Sequence, residues 1–220
     1  MQRMFSGSSW GIVQHFRKGP GGKVMDYFSS DHHFKHKNII KYAGRPHTHI
    51  DAMHSDMISK HNAIVGPEDT WHCVGDFAFA SIAEQKVFLS SLNGKKKILY
   101  LGNHDRTPRA MREIGFDEVY DTPVDWEYGG YKFRISHYPF GPEDHEGITP
   151  RYMKRRPPVE GCDWLICGHV HEKWKILRNM INVGVDVWDF YPRSIEQIIE
   201  TIKRLGVITD AKLQSNLHCY

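Results

Sequence analysis

Two rhythms of hydrophobic and polar positions alternate along this chain, and the switches between them predict its elements. Residues 24–29 carry a strand pattern, and 50–63 set Ile50, Met53, Met57 and Ile58 on one face at helical spacing. Residues 71–75 read as a strand, 81–92 as a helix, 97–101 as a strand and 107–114 as a short helix with Pro108 in its first turn. Short strands follow at 119–121, 124–128 and 131–136, the last two joined by the Gly129-Gly130 turn. A strand at 164–167 precedes a last hairpin over 174–182 and a helix over 194–205, with Ser194 placed to cap its start and Gly206 its end. This order implies an α/β fold, a mixed sheet system with helices outside. The stretch 139–161, rich in Pro, Gly and charge, is long enough to be a functional loop.

Composition narrows the class. With 220 residues, 40% hydrophobic and 25% charged, the chain has the make-up of one folded domain, which excludes intrinsic disorder as the main reading. Apolar runs such as 98–101 and 164–167 fall far short of the roughly 18 residues a bilayer span needs, so no membrane is expected. A formal charge of +3 is too balanced to announce a nucleic-acid partner by itself. Cys73, Cys162, Cys167 and Cys219 lack the spacing of a disulfide scaffold or zinc knuckle, so a reducing, cytoplasmic setting is expected. Cys162 and Cys167 are not expected to act as nucleophiles. Histidine is the anomaly: 15 residues, beside many Asp and Asn, raise a metal-site hypothesis. Residues 1–24 hold Arg3, Arg17, Lys18 and Lys23 but no acid, and read as an N-terminal extension to a domain at 25–220. A transit peptide, a docking segment and a leader upstream of a start at Met25 compete there, and the last two are favoured because Met25 stands directly before a strand pattern.

Candidate chemistry sits at strand ends. Asp31-His32-His33, Gly75-Asp76, Gly102-Asn103-His104-Asp105, Ser136-His137 and Gly168-His169-Val170-His171 each follow an apolar stretch. Loops at the carboxyl ends of strands collect ligands, so the five motifs are expected to converge. Asp31 and His33 are two apart, as are His169 and His171; on extended backbone each pair would face one way. Asp76 offers two oxygens able to bridge cations, Asn103 a neutral amide oxygen and His137 another imidazole. Seven such groups can hold two metals with positions left for water and substrate.

In this order the motifs resemble the calcineurin-like metallophosphoesterase superfamily. The segments FSSDHHFKHKNII, 74–79 and INVGVDVWDFYP are further similar to a subgroup of small bacterial and phage phosphoesterases. The resemblance implies a four-layer α-β-β-α sandwich of two mixed sheets flanked by helices, with a dinuclear site at the sheet edge. It implies that Asp31, His33 and His171 hold one cation, Asn103, His137 and His169 the other, and that Asp76 bridges. It implies two divalent ions and a hydroxide between them as nucleophile; the mixed oxygen and nitrogen ligands accept Mn, Fe, Zn, Co or Ni. His104 would face the scissile phosphate rather than bind metal, with Asp105 setting its tautomer. The chain departs from the broad pattern in lacking a second acid shortly after Asp76, where Phe77-Ala78-Phe79-Ala80 follows, and Lys35 stands where the subgroup commonly has glycine. The triplet at 31–33 also evokes the separate DHH phosphoesterases, but GNHD and GHVH do not belong to that family.

Lys35, His36, Arg45, Arg151 and Arg155 are candidates to contact a phosphoester substrate, a nucleotide or nucleic acid among them. Asp186 could buttress the site or cap a turn, and Trp164, Trp174 and Trp188 are assigned to packing. Histidines not among the candidate ligands, such as His32, His47, His49, His54, His61, His72 and His145, are expected mostly at the surface or in support. The reading is a phosphodiesterase. A phosphomonoesterase or pyrophosphatase competes within the class, and a metal-binding protein-interaction module competes outside it.

Overall fold

The structure is a computed structural model. It describes residues 24–141 and 152–216, those beyond 205 through their backbone alone, so the extension up to residue 23, His145, Arg151 and Cys219 lie outside the described residues. Strands β1 (Asp26–Ser29), β2 (Thr70–Cys73), β3 (Lys96–Tyr100) and β4 (Glu118–Tyr120) run parallel, with β10 (Arg193–Ser194) antiparallel at the edge, in the order β10-β1-β2-β3-β4. A second five-stranded sheet, β5-β6-β7-β9-β8, joins β5 (Val124–Tyr128), β6 (Tyr131–Ile135), β7 (Trp164–Cys167), β9 (Met180–Asn182) and β8 (Ile176–Leu177). In it β6, β7 and β9 are parallel. Between β5 and β6 both Gly129 (φ 60°) and Gly130 (φ 83°) take the left-handed conformation that a tight two-residue hairpin turn demands.

Period-two alternation assigns each strand face. Trp71, Cys73 and Leu99 point one way, into a cluster with Met53 and Met57 of α2 (Ile50–Ile64), Leu89 of α3 (Ile82–Ser91) and Met111 of α4 (Pro108–Ile114). Phe28, Val74, Ile98 and Tyr100 point the other way and meet Phe133, Ile135, Ile166 and Ile181 of the second sheet, together with Ile195, Ile198 and Ile202 of α5 (Ile195–Asn216). Capping fixes where these helices start. Ser81 and Glu84 form a reciprocal capping box for α3, and Thr107 caps α4 with Pro108 just inside.

The structure corrects the sequence reading at two helices. A short helix, α1 (Ile39–Tyr42), stands where none was expected. Helix α5 continues through Gly206 to Asn216; an interior glycine costs a helix only about 1 kcal/mol and need not end it. On the far face of the second sheet, Leu165, Cys167 and Met180 are covered by Phe140, Cys162, Trp174 and Leu177, none of them helical, so a fourth, helical layer is not seen there among the described residues. Four of the histidines expected at the surface or in support are buried: His32, His54, His61 and His72. Each has a partner that makes burial tolerable; His72, for example, lies between Asp26 Oδ1 at 2.8 Å and the Tyr100 hydroxyl at 3.0 Å. Among the described residues no helix is long and apolar enough to cross a membrane.

Candidate metal centre

All five motifs leave the carboxyl ends of parallel strands, Asp31 from β1, Asp76 from β2, Asn103 from β3, His137 from β6 and His169 from β7, so the two sheets deliver them to one edge. The pincers are not extended backbone as the sequence reading supposed. Asp31, His33, Asp76, His169 and His171 have φ between 49° and 74°, so five of the seven candidate ligands are left-handed. Each such residue costs about 1–3 kcal/mol and persists only where its surroundings enforce it, a pattern concentrated at functional sites. Three glycines make room: a Cβ on Gly75 would strike the His137 ring, one on Gly102 the Asp76 carboxylate, and one on Gly168 the side chains of Ser30 and Asp31.

Imidazole nitrogens and side-chain oxygens gather at this edge. His137 Nδ1 donates to the Val74 carbonyl at 2.9 Å, which leaves the lone pair on Nε2. That Nε2 lies 3.3 Å from Asn103 Oδ1 and 3.5 Å from Asp76 Oδ2. Asn103 Oδ1 is also 3.0 Å from His169 Nδ1. Asp76 Oδ2 lies 3.4 Å from His33 Nε2, a buried atom with no hydrogen-bond partner. One oxygen of Asp76 therefore faces both halves of the cluster, while Oδ1 accepts from the His104 N–H at 2.9 Å. The acceptor atoms of Asp31, His33 and His171 come within 4.8 Å of one another, and so do those of Asp31, Asp76 and His137. Burial, with added repulsion from Asp105 and Asp31 and partial relief from His137, pushes Asp76 up to about 7. A donor set of oxygens and imidazoles that repel one another unless a cation or proton intervenes fits divalent metal.

Behind the first half stands a buried ion-pair relay. Asp186 Oδ2 accepts from His171 Nδ1 at 3.1 Å, and its carboxylate is gripped by Arg45 Nε at 2.7 Å and Nη2 at 3.1 Å. Arg45 further donates to the carbonyls of Asp31 at 2.6 Å and His32 at 2.9 Å. Its side chain is 0% exposed, so Arg45 is a brace under the site and not the substrate contact expected from sequence. Burial raises Asp186, but the bonds from His171 and Arg45 outweigh it and hold that carboxyl below its usual range. Asn182 holds the same loop by donating to the His171 and Trp174 carbonyls, both at 2.8 Å. Asp186 and Asn182 lie at and beyond the end of β9, so the rule that located the five motifs reaches them too.

Asp105 is corrected as well. Its carboxylate accepts from the backbone N–H groups of Asp76 and Phe77 at 2.9 Å and of Gly102 at 2.8 Å, tying two loops together instead of orienting His104. The His104 ring stands 5.3 Å from that of His33 and reaches the open side. His36 is brought in, its Nδ1 3.4 Å from His33 Nδ1. Lys35 pairs with Glu84 at 3.3 Å. Arg155 donates to the Tyr138 hydroxyl at 3.4 Å, and Tyr138 packs 5.3 Å from the His169 ring. Sequence reasoning did not single out Phe79 or Tyr42, because nothing in their local pattern distinguishes an exposed aromatic from a core one.

No family model matches the chain. It is 30% identical over 192 residues to the uncharacterized protein MJ1445 of Methanocaldococcus jannaschii, covering 83% of this chain and 93% of the other. The chain belongs to that protein's family. A solved structure with the same frame, the protein of unknown function AQ665 from Aquifex aeolicus, has 33% identity and a TM-score of 0.65 over 81% of this chain and all of its own. A novel archaeal phosphodiesterase has 18% identity and a TM-score of 0.39 over 78% of this chain and 99% of its own.

Proposed function

We propose that this chain is a dinuclear metal-dependent phosphoester hydrolase acting on phosphodiesters. One observation carries the reading: His33 Nε2, His137 Nε2, Asn103 Oδ1 and Asp76 Oδ2 converge from four strand ends at separations of 3.3–3.5 Å, and the buried His33 Nε2 has no hydrogen-bond partner. Asp31, His33 and His171 would hold one divalent cation, Asn103, His137 and His169 the other, and Asp76 Oδ2 would lie between. Bound there, Mn, Fe, Zn, Co or Ni would supply Lewis acidity, screening the phosphate's charge and lowering the pKa of the attacking water. The residues do the rest. Left-handed backbone and the Arg45–Asp186 relay fix the ligand atoms before any cation arrives. His104, its N–H anchored on Asp76 and its ring on the open side, would protonate the leaving oxygen as water adds across the P–O bond.

The test is hydrolysis of bis(4-nitrophenyl) phosphate by the metal-loaded chain. Asp76→Ala and Asn103→Ala should abolish it, and undiminished turnover in either pure variant would sink the proposal. His104→Ala should keep two metals per chain by elemental analysis while losing about 10²–10⁴ in rate.

A further inference from the structure

Among the described residues, exposed aromatic surface is gathered around the candidate centre. Among the described residues the exposed aromatic side chains are Tyr42, Phe79 and Tyr152, at 67, 48 and 39%. Phe79 stacks on His36 with ring centroids 4.6 Å apart and lies 4.9 Å from His104. Tyr42 meets the edge of His36 at 6.1 Å, and Tyr152 approaches His169 at 5.8 Å. Flat apolar faces left in water beside imidazoles are surfaces for a flat apolar partner.

Two cavities share Phe79 and His104 as their common wall. The first, about 480 Å³, runs from His33 and His171 to Ile39, Tyr42 and Val170. The second, about 520 Å³, is lined by the polar side chains of Ser81, Glu84, Gln85 and Arg106. Each is of the size that encloses a small molecule, roughly 300–1,000 Å³. A phosphate held at His104 with one substituent would fill a single cavity, whereas a diester extends a group into each. Stacking on an aromatic face accepts any base, and the imidazoles between that face and the centre offer hydrogen bonds to a sugar.

We propose that the substrate is a nucleoside phosphodiester whose base packs beside the stacked Phe79 and His36 rings in the cavity bordered by Tyr42, with its second substituent in the polar cavity. This rests on the phosphoesterase reading above. The products follow by adding water across one P–O bond: its oxygen goes to phosphorus and a proton to the departing oxygen.

The metal-loaded full chain is assayed on thymidine 5′-(4-nitrophenyl phosphate) and methyl 4-nitrophenyl phosphate, which share a leaving group. The nucleoside ester should have kcat/KM at least about tenfold higher. Phe79→Ala should collapse that ratio and Phe79→Trp restore it, while Tyr42→Ala, at an exposed position that folding does not need, should lower it. Equal kcat/KM in the parent chain, or a ratio indifferent to Phe79→Ala, overturns the substrate assignment and leaves the phosphoesterase reading standing. If neither ester is hydrolysed the phosphoesterase reading fails, and calorimetric titration with AMP against ribose 5-phosphate decides the cavity alone. AMP binding about tenfold tighter, lost in Phe79→Ala, keeps an aromatic-base site; equal affinities dismiss it.

Discussion

The two halves of the cluster are held by different physics. Asp31, His33 and His171 depend on a buried ion pair, since Arg45 and Asp186, with side chains 0% and 2% exposed, brace both the His171 ring and the Asp31 carbonyl. Asn103, His137 and His169 depend on backbone: a Val74 carbonyl fixes the His137 tautomer, and Asp105 ties the Asp76 and Gly102 amides together. A buried ion pair therefore governs one half, and hydrogen bonds involving the backbone, with the space left by Gly75 and Gly102, govern the other. Conditions that change protonation should disturb the first, and added side-chain atoms the second.

The largest effect that can break this contrast is Arg45→Met. It strands a buried carboxylate and should cost about 3–5 kcal/mol of stability, read by denaturant unfolding, with one of two cations lost in metal titration. Retention of both cations at unchanged affinity would dissolve the distinction. Gly75→Ala, which drives a methyl into His137 at a φ of 89°, should cost about 1–3 kcal/mol and weaken the other cation. Asp105→Asn leaves one acceptor for three amides and should remove about 1.5–3 kcal/mol, with sharper hydrogen exchange at the Asp76 and Phe77 amides.

The smallest effect concerns pH. Burial lowers His171, but Asp31 and Asp186 outweigh it and raise it from 6.5 to about 9. A histidine raised on folding stabilises the chain fully below pH 6.5 and loses that contribution as pH climbs through about 9. Metal-stripped protein should thus lose thermal stability over that interval, and Asp186→Asn should flatten the slope. A cation competes with the same proton and should bind more tightly as pH rises. A slope untouched by Asp186→Asn would locate the effect elsewhere.

Particular residues mark how far the sequence could be read. Ser81 with Glu84, Thr107 with Pro108 and the Gly129-Gly130 pair announced their elements, because caps and tight turns are local chemistry. The five motifs were legible as strand-end segments for the same reason. Arg45 was misread as a substrate contact and Asp105 as a partner of His104, because 141 residues separate Arg45 from Asp186 and 29 separate Asp105 from the Asp76 amide.

By itself, then, the sequence determined periodicity, caps, turns and which residues stand at strand ends, since each depends on neighbours within a few positions. Only the tertiary structure decided which oxygen of Asp76 faces two imidazoles, which charges are buried braces and which aromatic rings are left in solvent. Those properties depend on desolvation and on distances between segments far apart in the chain, which local pattern does not encode.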